Sequence, residues 1–126
     1  MGEFKPTLSQ QQVIDARNKN VLVSAAAGSG KTAVLTERIA GRLLDKEHPV
    51  SIDRLLIVTF TEAAASEMRE RIAKAIGKRL KADPGNEFLR KQFTLVNSAL
   101  IMTIHGFCLY LIRNHFDRIG IDPSFR

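Results

Sequence analysis

Three short apolar runs punctuate the chain, and each leads into a stretch whose apolar residues recur at helical spacing. The first run, Val21-Leu22-Val23, stands ahead of a loop of small residues, the placement of a buried parallel strand. From Thr32 the positions Val34, Leu35, Ile39, Leu43 and Leu44 fall on one side of a predicted helix, which His48-Pro49 closes. Leu55-Leu56-Ile57-Val58-Thr59-Phe60 predicts a second buried strand, and Ala65, Met68, Ile72, Ala75, Ile76 and Leu80 then line one face of a long helix. Asp83-Pro84-Gly85-Asn86 is a turn, because each residue type there favours leaving a helix. Residues 86–98 predict another helix with Phe88, Leu89, Phe93 and Val96 inward. Residues 100–104 form a third β-type run, and a helix opening at His105 carries Cys108, Leu111, Ile112, Phe116 and Ile119. Before all of these, Thr7-Leu8-Ser9 predicts a helix start, capped by Thr7 or Ser9 and ending near Lys19-Asn20. Strand and helix alternate three times, which places the chain in the α/β class, a parallel sheet with flanking helices.

The loop after the first run carries the clearest chemistry. Ala25, Ala26, Ala27, Gly28, Ser29 and Gly30 are followed by Lys31 and Thr32. The phosphate-loop pattern G-x-x-x-x-G-K-[ST] is met in relaxed form, with Ala25 where glycine is usual. Small side chains let backbone N–H groups converge on a phosphate, and a helix N-terminus adds partial positive charge. Lys31 suits a position between the β- and γ-phosphates, and the Thr32 hydroxyl suits Mg²⁺. A chance Gly/Ser loop is the plain alternative, and the strand–loop–helix setting argues against it.

Hydrolysis asks for more. A phosphate-loop ATPase needs an acid at the end of a neighbouring strand, yet Glu62 comes three residues after Thr59, and Asp53 precedes the strand. The predicted junctions after the second and third runs suit a different ligand. Thr59, Phe60 and Thr61, followed by Ala63, combine hydroxyls and a ring with a helix start open to backbone approach. Thr103, Ile104, His105 and Gly106 repeat that arrangement. Hydroxyls and N–H groups at such a junction take phosphate, and the ring offers a stacking face to a single nucleic-acid strand. Phe60 as a core residue and His105 as a structural histidine are the plain alternatives; His48 and His115 have no better claim than that.

Composition sharpens the picture only slightly. A chain of 126 residues allows one domain, and 44% apolar with 25% charged residues is ordinary for a globular chain. The net charge is +6, and the segment 63–91 holds eight Lys/Arg (Arg69, Arg71, Lys74, Lys78, Arg79, Lys81, Arg90, Lys91) against Glu67, Glu70, Asp83 and Glu87. That excess fits a polyanionic partner or a solvated helix face. Cys108 is the only cysteine, which leaves no disulfide framework, and no apolar run approaches the length of a membrane span. A reduced, cytoplasmic setting is the expectation.

The segment "TFTEAAASEMRERI" resembles motif Ia of superfamily 1A helicases, the UvrD/Rep/PcrA group, in which TFTN-x-A-A-x-E-M-x-x-R-I is usual. "TIHGFC" resembles the T-x-H-[SG]-F motif that follows it. Thr7-Leu8-Ser9-Gln10 with Val13-Ile14 resembles the upstream Q-motif; Gln10 lies 21 residues before Lys31, and Gln11 and Gln12 are the adjacent registers. "VLVSAAAGSGKTAVLTERI", "DRLLIVTFTEAAASEMRERI" and "IDPSFR" resemble the AddA subunits of bacterial AddAB helicase–nucleases. Departures are Glu62 where asparagine is commoner, which sets a negative charge near the phosphate path, and Gly106 where serine is commoner, which drops a hydroxyl but keeps an N–H.

The resemblance implies a P-loop NTPase (RecA-like) fold, with residues 1–126 as the N-terminal part of helicase domain 1A, ending before the Asp-Glu motif II. It implies ATP and Mg²⁺ as cofactors, bound by Gln10 at the adenine, by residues 25–30, and by Lys31 and Thr32 as the catalytic pair. It implies single-stranded DNA on Thr59, Phe60, Thr61, Ala63, Thr103, His105 and Gly106. For the whole protein it implies DNA helicase and 3′–5′ exonuclease activity in double-strand break repair and recombination, with an AddB-like partner subunit. The isolated segment is expected to lack hydrolysis of its own. A small P-loop kinase and a non-catalytic nucleic-acid module remain the competing readings.

Overall fold

Capping decides where the first helix begins. In a computed structural model, which describes residues 4–24, 30–120, 122 and 124, helix α1 spans Leu8–Asp15. The Thr7 hydroxyl accepts from the Gln10 N–H at 3.3 Å while Gln10 Oε1 accepts from the Thr7 N–H at 2.8 Å, a reciprocal capping box. Thr7 is therefore the cap and Ser9 is not. The helix stops at Asp15, short of Lys19-Asn20, because Ala16 turns extended and Asn18 takes a left-handed φ of 58°.

Helix α2 (Lys31–Leu43) starts immediately after Gly30, whose φ of 83° is open to glycine and strained for other residues. It buries Val34, Thr36, Ile39, Ala40 and Leu43, whereas Leu35 stays exposed. After a short 3₁₀ turn (Ile52–Arg54), strand β1 (Leu56–Thr59) feeds the long helix α3 (Glu62–Ala82). The expected turn at residues 83–86 closes with the Asn86 N–H donating to the Asp83 carbonyl at 3.1 Å. Asn86 then caps α4 (Glu87–Leu95) through the Leu89 N–H at 3.1 Å. A second 3₁₀ turn (Val96–Ser98) leads to strand β2 (Leu100–Thr103) and helix α5 (Ile104–Asn114). The helical periodicity past Asn114 breaks at His115, and Phe116–Ile119 form a separate single turn, α6.

β1 and β2 are parallel and in register, from Leu56 opposite Leu100 to Thr59 opposite Thr103. Ile57 and Ile101 point to α3 and meet Ala65, Met68, Ile72 and Ile76, with Ile39 and Leu43 of α2, Ile52, Val96 and Ala99 closing the core. Ile72 and Ile76 are fully buried, and such burial stabilises by about 1.5–3 kcal/mol per side chain. The opposite face of β1 is open: Leu56 and Val58 are exposed, so the strand is covered on one side rather than both.

Val21, Leu22 and Val23, expected as a buried strand, form none, and Leu22 is 97% exposed. A short extended run is held only where a neighbouring strand takes up its N–H and C=O groups, and the described sheet contains β1 and β2 alone. Two further inward positions also differ: Phe93 is exposed, and no residue of α5 is buried.

Polar side chains tie the elements together. Gln92 is fully buried; its Oε1 accepts from the Ile52 N–H at 2.6 Å and its Nε2 donates to the Ser51 hydroxyl at 3.1 Å. Arg69 on α3 donates to the carbonyls of Val96, Ala99 (3.3 Å) and Ile101 (2.9 Å), which fixes the approach to β2. Both sit at positions that helical spacing assigns to an inward face, between Leu89 and Val96 and between Ala65 and Ile72. A polar residue interrupting an apolar face is the signal that marks them in the sequence.

Candidate functional site

Helices α1 and α2 enclose a cleft of about 410 Å³. From α1 it receives Ser9, Gln10 and Val13; from α2, Lys31, Val34, Leu35 and Arg38; Val23 and Ser24 close one side. Of the three adjacent glutamines, Gln10 lines the cleft, while Gln11 donates to the Asp15 carboxylate at 2.9 Å within α1. Gln10 Nε2 lies 3.7 Å from the point where a Cβ on Gly30 would sit. The Gln10 amide on α1 and the start of α2 thus meet across the cleft.

The charge of this cleft is one-sided. Among the described residues that line it there are two cations, Lys31 and Arg38, and no carboxylate. Val13, Val34 and Leu35 add an apolar wall. An apolar wall beside Lys31 at a helix N-terminus fits a ligand with a flat ring and an anionic tail. Burial, with the like charges of Arg17 and Arg42 nearby, lowers the Arg38 pKa from its ordinary value. Thr32 is exposed at the first turn, and its carbonyl accepts from the Thr36 hydroxyl at 2.8 Å. Residues 25–29, the body of the expected phosphate loop, lie outside the described residues.

A second site forms where the two strands end. Because Thr59 and Thr103 are register partners, helices α3 and α5 start side by side at one edge of the sheet. The shelf between them has a volume of about 560 Å³ and is lined by Phe60, Glu62, Thr103, Ile104, His105 and Gly106. Phe60 is 91% exposed and so is no part of the core. The Thr61 hydroxyl caps α3, accepting from the Ala64 N–H at 3.1 Å, and the Thr59 hydroxyl donates to the Thr61 carbonyl at 3.0 Å. Thr103 is buried, and its hydroxyl caps α5 by accepting from the Gly106 N–H at 3.0 Å. It also donates to Glu62 Oε1 at 3.4 Å. The Gly106 N–H, which the sequence offers to a phosphate, is therefore engaged in the cap. A Cβ on Gly106 would sit 3.2 Å from Thr103 Oγ1, so a larger residue would press on that cap. Ala63 and His105 are exposed at the two helix starts.

The structure separates the remaining candidates. Asp53 lies in the turn ahead of β1, at the far end of the strand from Thr59. His48 and His115 are exposed outside both sites, and Cys108 is an exposed free thiol in the lining of the shelf. No cluster of metal-binding side chains occurs among the described residues. Helix α3 lies between the two sites: it packs against α2, with the Thr36 hydroxyl 3.3 Å from Met68 Sδ, and its first turn borders the shelf. Arg38, which spacing alone did not single out, proves to be the residue that joins the two walls of the cleft, donating to the Val13 and Ala16 carbonyls at 2.6 Å each.

Comparison with known proteins accords with these motifs. The family model of the UvrD/REP helicase N-terminal domain matches residues 7–126. The chain is 62% identical over its 126 residues to an ATP-dependent helicase/nuclease subunit of Clostridium novyi (strain NT), covering 10% of that protein. It is 58% identical over its whole length to the protein of the same name from Clostridium botulinum (strain Kyoto / Type A2), again covering 10% of it. Against the Lachnoclostridium phytofermentans protein of that name the identity is 62%, over 9% of that protein. The chain spans about a tenth of the length of the curated relatives it matches. With the match covering nearly all of its residues, the chain belongs to the UvrD/REP helicase N-terminal domain family.

Proposed function

We propose that this chain is the ATP-binding and single-stranded-DNA-contacting part of an ATP-dependent DNA helicase/nuclease that works in double-strand break repair and recombination. The observation that carries the reading is the cleft between α1 and α2, where Gln10 and Lys31 line one cavity with an apolar wall and no acid among its described residues. Gln10 reads the adenine edge, Lys31 meets the β- and γ-phosphates, Thr32 offers its hydroxyl to Mg²⁺, and residues 25–30 complete the phosphate loop. MgATP supplies the free energy that phosphoryl transfer releases. The enclosing fold is that of the P-loop NTPases, as the first part of domain 1A, with its acidic motif and second motor domain elsewhere in the larger protein. On its own the chain then binds nucleotide and hydrolyses little of it.

Single-stranded DNA lies across the shelf at the strand ends. Phe60 stacks on a base, and Thr59, Thr61, Ala63 and His105 meet the backbone near two helix N-termini. Thr103 and Gly106 act through the α5 cap, which sets the approach of His105. Because α3 touches α2 and begins at the shelf, a nucleotide-dependent shift of α2 moves the DNA contacts. In the larger protein an AddB-like chain is the partner and a nuclease domain cuts the DNA. Titration with fluorescent ATP and Mg²⁺ tests the reading: saturable binding is expected, weakened at least about ten-fold by Lys31→Ala. Absence of binding, or binding indifferent to that substitution, overturns it.

A further inference from the structure

We infer that Arg38 is a positioning residue for Gln10, holding α1 against α2 so that the glutamine side chain stays at the helix start beside Gly30. The inference rests on the nucleotide reading above and assigns the base preference of that cleft to a residue that need not touch the base.

Helix α1 packs against α2 along its length, and hydrogen bonds from side chains fix how it sits there. It is eight residues long and buries one side chain, Ile14. No basic residue of its own serves its last turn, where carbonyls lack intrahelical partners. Two guanidiniums from outside supply them. Arg17 donates to the Ile14 carbonyl at 2.7 Å and to the Ala16 carbonyl at 3.0 Å. Arg17 follows α1 in the chain, and its guanidinium also lies against α2, 3.7 Å from the point where a Cβ on Gly41 would sit, without a hydrogen bond to that helix among the described residues. Arg38 bonds from one helix to the other: from the middle of α2 its Nη1 donates to the carbonyls of Val13 and Ala16, both at 2.6 Å. Charge-assisted bonds this short fix both the separation of the helices and their rotation.

Gln10 sits toward the other end of the same short helix. Its Oε1 is held by the Thr7 N–H, which fixes the amide plane and places Nε2 toward Gly30. One end of α1 thus sets how the glutamine points, and the other, through Arg38, sets where the helix stands. Arg38 is seven residues from Lys31, about 10 Å along the helix, so its guanidinium serves α1 rather than a phosphate held at Lys31. Lysine is a poor substitute, because one ammonium on a flexible stem lacks the planar donor fork.

A double-mutant cycle on this chain tests the assignment, with binding of ATP, GTP and inorganic tripolyphosphate measured for the native chain, Arg38→Ala, Arg38→Lys, Gln10→Ala and Arg38→Ala/Gln10→Ala. Arg38→Ala should cut the preference for ATP over GTP by roughly ten-fold, with Arg38→Lys in between. Tripolyphosphate affinity should be unchanged, and the loss of preference should not grow when Gln10→Ala is already present. Faster amide exchange across residues 8–15 in Arg38→Ala, with the rest of the chain protected, would support the same conclusion. The inference is overturned if the preference survives both Arg38 variants, if tripolyphosphate binding falls in step with ATP, or if the two substitutions add. Should Arg38→Ala fail to fold, an Arg38→Lys variant with native preference overturns it equally. A native chain that binds neither ATP nor tripolyphosphate would instead sink the nucleotide reading itself, and this inference with it.

Discussion

Gln92 offers the sharpest test of how the shelf is held in place. It has no solvent exposure, and neither has Ile52, whose N–H it accepts at 2.6 Å. That bond joins the turn entering β1 to the helix that precedes β2, so it acts on the register that brings Thr59 and Thr103 side by side. Gln92→Leu keeps most of the volume and removes the amide, leaving the Ile52 N–H buried without an acceptor, at a cost of about 1–3 kcal/mol. Gln92→Ala adds a cavity and should cost about 3–5 kcal/mol in total. For a chain of this size each kcal/mol corresponds to roughly 3–6 °C in Tm. Thermal melts followed by far-ultraviolet circular dichroism, with urea melts as a second probe, give the ordering native, Leu, Ala from most to least stable. A Leu variant within about 0.5 kcal/mol of the native chain would refute the reasoning. It would mean that the Ile52 N–H finds another partner and that the strand entries are held by apolar packing alone.

Two other predictions concern the surface. Phe60→Ala should leave stability nearly unchanged, because the ring is 91% exposed, while weakening single-stranded DNA binding by about 1–3 kcal/mol. Fluorescence anisotropy over a salt series measures it, and an unchanged affinity at every salt concentration would remove Phe60 from the DNA path. For Asp45, N–H groups of His48 and Glu47, each donating to Oδ1 at 2.9 Å, hold the carboxyl below its ordinary value of 3.8. A lowered folded pKa means that the stabilisation is complete above the unfolded value and disappears as pH falls through the folded one. Carboxyl chemical shifts of Asp45 should therefore titrate below 3.8, and a midpoint at or above it would contradict the turn geometry.

Local chemistry made much of the chain legible before any contact was known. Lys31 at a helix start after small residues, the turn at residues 83–86 and the inward face of α3 all follow from rules that act within a few residues. Three of the segments where the reading departs share a cause. Val21, Leu22 and Val23 form no strand, Leu56 and Val58 leave one face of β1 open, and α5 buries nothing. Apolar character predicts that a residue is worth covering, but not whether a neighbour is there to cover it. Gln92, Arg69 and Arg38 escape for the complementary reason. Each is polar where the helical period points inward, and its carbonyl or N–H partners are 22 to 40 residues away.

The sequence by itself determined which short segments can be helix or strand, where small residues and hydroxyls punctuate them, and the motifs that resemble a DNA motor. These properties depend on backbone sterics and on side chains a turn or less apart. Tertiary structure alone decided that β1 and β2 pair in register, setting two helix starts beside each other, and that Gln10 and Lys31 line one cleft. It also decided that Arg38 reaches from α2 to the carbonyls at the end of α1 and so joins the two walls of that cleft. Such placements depend on which distant backbone groups are left for a side chain to satisfy, and that is settled only when the elements pack.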